Sequence, residues 1–179
     1  MIRRIIERLR HPALVELVRD QDLQRLLRRK EFRVTDTYLQ REVLDRTVDE
    51  ELREVAIRFR EGYGELQGKV KKRLVPVNLP FSVRFRLDGV EFNPMGKRIH
   101  LRIDEVKPLD LDWVTKRLVE KVPFLSCAGD RITCDLAQVP RLAGMLAAEL
   151  KGVRVVDFVT IRELALVEGA LVGRLGVCL

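Results

Sequence analysis

The stretch SVRFRLDGVEFNPMGKRIHLRIDEV (Ser82–Val106) decides how the rest of the chain is read. It holds three runs of alternating apolar and polar residues, separated by Asp88-Gly89 and by Asn93-Pro94-Met95-Gly96. A two-residue Asp88-Gly89 loop pairs Leu87 with Val90, Arg86 with Glu91 and Phe85 with Phe92. That register sets apolar against apolar on one face and opposite charges on the other. A second loop, Pro94 to Lys97, pairs Phe92 with Ile99 and Val90 with Leu101, whereas a three-residue loop would set Phe92 against a charge. The pattern predicts an antiparallel meander with one apolar face: Val83, Phe85, Leu87, Val90, Phe92, Ile99, Leu101 and Ile103. Nothing in it carries a catalytic signature.

Further hairpins flank this stretch. Val55 to Lys71 reads as one, turning at Gly62-Tyr63 with Phe59 opposite Leu66, Val55 opposite Val70 and Arg60 opposite Glu65. A basic run follows (Lys69, Lys71, Lys72, Arg73), then a proline-interrupted connection or edge from Leu74 to Pro80. Val155 to Val167 and Ala170 to Leu179 form a last hairpin about Glu168-Gly169, with Leu166 opposite Leu171 and Glu163 opposite Arg174. A short strand is expected from Arg131 to Leu136. Helices are expected from Asp36 to Arg46, capped by Thr35 with Val34 and Leu39 placed for a hydrophobic staple, and from Asp110 or Asp112 to Val122, ended by Pro123. Another is expected from Pro140 to about Leu150, closed by Gly152.

The 179 residues suit one domain with a helical arm, and 46% hydrophobic with 34% charged residues describes a folded chain. The net charge of +7 is uneven, because residues 1–30 hold nine Arg/Lys against four Asp/Glu, leaving +2 for the remainder. Within this arm Ile2, Ile5, Ile6 and Leu9 recur at helical spacing, with Arg3, Arg4, Arg8 and Arg10 on the other face. Such a basic amphipathic helix suits an anionic membrane surface, and equally a stripe packed on its own domain or on a second copy in a homo-oligomer. No apolar run is long enough to span a membrane, and the start lacks the pattern of a signal peptide. The expected location is therefore cytoplasmic, peripheral to the inner membrane.

Candidate chemistry is thin. Cys127, Cys134 and Cys178 form neither a CxxC nor an even disulfide set. His11 and His100 fall in separate elements, without a metal-ligand spacing, so no metal or cofactor is expected. Ser82 and Ser126 lack a nucleophile elbow. Cys127 with His100 is the best nucleophile–base pair that can be assembled, and a buried thiol beside an outward histidine explains both more simply. The glycines at 62, 64 and 68 have the wrong spacing for a dinucleotide fingerprint. No enzyme is expected. A nucleic-acid reading has the basic charge in its favour, but of ten aromatics Phe59, Phe85 and Phe92 lie on apolar faces, leaving few rings for stacking.

The helix start Val34-Thr35-Asp36-Thr37-Tyr38-Leu39-Gln40 resembles the apolar-Ser/Thr-acid-x-x-Leu-Asn/Gln start of small bacterial members of the tubular lipid-binding (TULIP) superfamily. The order of elements over residues 32–179 also resembles theirs, with residues 1–31 as an arm outside. The resemblance implies an α+β fold in which a curved antiparallel meander sheet wraps against a few helices. It also implies a lipid or other apolar small molecule held by apolar side chains, the candidate lining being Leu39, Val43, Phe59, Leu66, Phe85, Phe92, Leu101 and Leu118. The expected function is lipid binding or presentation, with the arm on a membrane surface. The alternatives are a nucleic-acid-binding protein using the arm, and a ligand-free protein-interaction domain.

Overall fold

A computed structural model of the chain describes residues 29–46, 48–71, 78–108, 112–139, 143, 146, 147, 149, 150 and 153–177. The arm, including Arg3, Arg4, Arg8 and Arg10, lies outside the described residues, as does most of the helix expected from Pro140. The elements in order are β1 (Glu31–Thr35), α1 (Asp36–Glu42), β2 (Leu52–Arg60), β3 (Tyr63–Lys71), β4 (Asn78–Asn93) and β5 (Gly96–Lys107). Then come α2 (Asp112–Lys121), β6 (Leu125–Ala128), β7 (Arg131–Asp135), β8 (Glu149–Leu150), β9 (Val153–Arg154), β10 (Val159–Val167) and β11 (Ala170–Val177). The class is α+β, dominated by antiparallel strands. One sheet has the order β2-β3-β4-β5-β7-β6, a second β1-β11-β10, and β8 pairs with β9 alone.

The expected turn at Asp88-Gly89 is a bulge instead. β4 runs straight through it, Leu87 facing Leu101 and Gly89 facing His100, with Asp88 as the extra residue. Its carboxylate reaches across to Arg131 at 2.7 Å. The reversal comes at Pro94-Met95, where Asn93 Oδ1 accepts from the Met95 and Gly96 amides at 2.8 and 3.0 Å. Asparagine before a proline is suited to this side-chain-braced turn. Val90 therefore faces Ile99, Glu91 faces Arg98 and Phe92 faces Lys97. A bulge and a two-residue turn both change the alternation by one step, so Leu87 and Val90 share a face either way. The eight residues expected on the apolar face all lie on it, although the chain reaches that arrangement with one reversal fewer.

The β2–β3 hairpin turns at Glu61-Gly62, one residue earlier than expected, so Phe59 faces Gly64 and Ile57 faces Leu66. Gly62 sits at φ 80°, the left-handed region that glycine enters without strain. Leu52 takes the expected place of Val55 opposite Val70, because a bulge lies between Arg53 and Ala56. The last hairpin has its expected register, Leu166 facing Leu171 and Glu163 facing Arg174 about Glu168-Gly169. It begins at Val159, after a 3-10 turn at Val155–Phe158. α1 stops at Glu42 and gives way to a 3-10 turn at Leu44–Arg46, short of the continuous helix expected to Arg46. β7 ends at Asp135, whose carboxylate caps the turn Leu136–Gln138. Glu149 and Leu150 are strand, where the helix from Pro140 was expected to end. Pro80 stands inside β4, but in its first residues, where β3 is paired and β5, which ends at Lys107 opposite Ser82, is not.

Two tips meet to join the sheets. Gly62 N donates to Leu166 O, Gly169 N donates to Phe59 O, both at 3.0 Å, and Arg60 pairs with Glu168. Beneath them Phe59, Phe85 and Leu166 form one buried cluster, and Leu44, Leu52, Val55, Val70, Phe81 and Val83 form a second. Each such side chain contributes roughly 1.5–3 kcal/mol by leaving water. α2 is tied to the entry of β2 by Lys121 to Asp49 and by Arg117 to Glu51 at 2.8 Å.

Candidate functional site

The apolar face of β4 and β5 changes character along its length. From Phe81 to Phe85 it is filled, as the buried ranks of Phe81, Val83 and Phe85 show. Leu87 and its partner Leu101, and beyond the bulge Val90 and Phe92 on β4 and Ile99 on β5, are only half-buried. The register carries the same face onto β7 through Ile132 and Cys134 and onto β6 through Leu125 and Cys127. Leu125, Ile132 and Cys134 are again half-buried.

The expected lipid-lining residues divide along this boundary. Phe59 and Phe85 are in the buried cluster, and Leu39, Leu66 and Leu101 pack against it. Val43 is the half-buried C-cap of α1. Phe92 lies farther along the face, half-buried. Leu118 falls in α2, and its side chain lies outside the described residues. Two surface clefts measure about 500 and 440 Å³, and of the described residues of the expected lining only Phe59 borders one of them.

One charge interrupts the apolar face. Lys97, 9% exposed, stands opposite Phe92, with its ammonium 4.9 Å from the ring centroid. Its Nζ donates to the Asn93 carbonyl and lies 3.8 Å from Asp157 Oδ1, beyond hydrogen-bond length. Asp157 is engaged instead by Arg154 at 3.1 Å. The alternation of the sequence conceals this lysine, since it falls next to the turn whose length was misjudged.

The opposite face is a charge ladder. Arg86, Arg102 and Arg131 stand in a row across β4, β5 and β7, held by Asp104, Asp130 and Asp88 at 2.9, 3.1 and 2.7 Å. Arg84 stacks 4.8 Å from the Tyr63 ring, in a row where Arg58, Glu65, Arg84 and Glu105 alternate in sign. Matching carboxylates leave this face without the sustained positive field that tracks a phosphate backbone. His100 shares it, with Nδ1 3.0 Å from Thr133 Oγ1. Because Cys127 faces Ile132 and His100 faces Thr133, the two lie on opposite faces and cannot act as nucleophile and base. Burial, aided by Asp135, pushes the Cys134 thiol up to about 12, and burial raises Cys127 as well.

Among the described residues no group of three or more His, Cys, Asp or Glu is placed to hold a metal, and no helix is long and apolar enough to cross a membrane. No family model, curated protein or solved structure matches the chain.

Proposed function

We propose that the protein binds or presents a lipid-like apolar molecule on the half-open part of its sheet, in a TULIP-like arrangement where the meander curves against the helices. The observation that carries this reading is the passage, on one continuous face, from a filled core at Phe81–Phe85 to half-buried Val90, Phe92, Ile99 and Leu101. A face that only has to support a core has no need to extend past it. An acyl chain laid there would gain about 0.8 kcal/mol per buried methylene, enough for a long chain to stay bound through purification. The basic arm of residues 1–30 would hold the protein at an anionic membrane surface, where each Lys or Arg adds roughly 1 kcal/mol.

Native mass spectrometry of freshly purified protein, followed by solvent extraction, tests the reading. The expected result is a population heavier than the polypeptide that releases a lipid. Ile99→Trp should reduce that population while the fold survives. A single species at the bare polypeptide mass, with no uptake of fatty acids or phospholipids, would remove the lipid reading and leave the interaction-domain one. For the arm, the full chain should sediment with anionic vesicles and release as salt rises, while a chain starting at Glu31 should not.

A further inference from the structure

Lys97 is the one charged side chain buried on the apolar face of β4 and β5 among the described residues, and its surroundings leave its charge underused. An ammonium has three protons to donate. Among the described residues, only the Asn93 carbonyl lies within hydrogen-bond reach of the Lys97 ammonium. Among the described residues its ion-pair partner is Asp157, which stays at 3.8 Å while bonding Arg154 through its other oxygen at 3.1 Å. The Phe92 ring adds a cation–π contact at 4.9 Å, which favours the charge but takes no proton. A buried cation with a donor to spare is costly unless something completes its shell.

The apolar surface starts beside this ammonium. Ile99 and Leu101 follow Lys97 on the same face of β5, flanked by Val90 on β4, up to the buried cluster at Phe85. At ~3.3 Å per residue the run from Lys97 to Leu101 is about 13 Å long. One leaflet of a bilayer, half of a hydrocarbon core of ~30 Å, needs an acyl chain of about that reach. A single cation at one end and a dry wall along one chain length match an amphiphile with one charge and one tail. The site offers one buried ammonium, a point charge suited to a monoanion. A phosphate ester would call for the forked donors of an arginine pointed into the site, and Arg154 is already held by Asp157.

We propose that the protein's ligand is a long-chain carboxylate of the fatty-acid class, with its carboxylate on Lys97 Nζ and its chain over Phe92, Ile99, Val90 and Leu101. This rests on the lipid reading above and adds the polarity and direction of the ligand. The test uses the full-length protein, with palmitate and its methyl ester as probes in parallel titrations. Wild type should prefer the acid by about ten- to a hundredfold, the value of a hydrogen bond between charged groups. Lys97→Met should bring the acid-to-ester ratio close to one, and Lys97→Arg should restore most of it, circular dichroism showing each variant folded. Should Lys97→Met not fold, Lys97→Gln, which keeps a donor without the charge, should lose the preference in its place. An acid preference that survives in the uncharged variants, or equal binding of acid and ester by wild type, would overturn the headgroup assignment and leave lipid binding standing. Failure of wild type to bind either probe would overturn both.

Discussion

The side chain of Gln40 pairs with the backbone of Ile57 as a neighbouring strand would. Its Oε1 accepts from the Ile57 amide at 3.0 Å and its Nε2 donates to the Val55 carbonyl at 2.6 Å. β2 is the edge of the six-stranded sheet, so these groups would otherwise be open to another chain. α1 thereby closes an edge with one amide, and Thr35 Oγ1, accepting from the Tyr38 amide at 3.1 Å, fixes the helix that presents it.

Replacing Gln40 by Leu should therefore destabilise the fold by about 1–3 kcal/mol, the cost of leaving backbone groups unsatisfied. Urea unfolding followed by circular dichroism gives the value. Thr35→Ala should cost about 1 kcal/mol through the lost cap. A Gln40→Leu variant as stable as wild type would show that the amide pair adds nothing.

Two glycines on the same sheet should respond in opposite ways. Gly64 lies under the Phe85 ring, so that a methyl group there would collide with it, whereas nothing lies within 4 Å of a methyl group at Gly89. Gly64→Ala should cost about 1–3 kcal/mol by overpacking, and Gly89→Ala should be neutral within about 0.5 kcal/mol. Since an Asp-Gly turn would need its glycine, a large loss at Gly89 would restore the turn in place of the bulge.

Acid should loosen the attachment of α2. Lys121 holds Asp49 below its ordinary value near 3.8, chiefly by a hydrogen bond, and Arg117 does the same for Glu51, ordinarily near 4.5. Carboxyls depressed in the folded state stabilise it above their unfolded values and lose that contribution as pH falls through the folded ones. The thermal midpoint should be flat near neutrality and decline below pH ~4, and the Asp49→Asn, Glu51→Gln double variant should decline less steeply. Parallel curves would show that these pairs do not contribute.

The cysteines give a chemical check on the faces. With its thiol pushed up to about 12, Cys134 should resist iodoacetamide at pH 8 in the native protein and react in urea. Peptide mass mapping of the modified residues reads this directly. Rapid native labelling of Cys134 would put it on the wrong side of the sheet.

What the sequence made legible was alternation. It placed Val83 through Ile103 on one face, set the register of the last hairpin, and found the Thr35 cap. It failed where a local signal has two physical solutions. Asp88-Gly89 can reverse a chain or bulge it; here β5 pairs straight through it, and Arg131 of β7, beyond β5, takes the Asp88 carboxylate. β1 was missed because Glu31–Thr35 is a five-residue strand whose partner, β11, lies far along the chain, and β6 because Leu125–Ala128 is too short to show a pattern, although it pairs locally with β7 across Gly129-Asp130. The sequence puts Lys97 in a loop, whereas the shorter turn places it on β5 opposite Phe92, with Asp157, from far along the chain, 3.8 Å away. Among the candidate lining, Phe59 and Phe85 were recognisable as apolar-face residues, but no pattern in the sequence tells a filled face from a half-open one.

The reciprocal bonds between Gly62 and Leu166 and between Gly169 and Phe59 set an order of events for a chain made from its N-terminus. While the ribosome is still translating, β2 to β5 can pair locally, since each hairpin closes within a few residues. Phe59 and Phe85 then have no Leu166 to cover them, and β1 has no neighbour, because its partner β11 (Ala170–Val177) is made long after it. Until β10 and β11 are made, the nascent chain thus carries two phenylalanines uncovered and one strand unpaired, a period in which a chaperone has the surface that the finished fold hides.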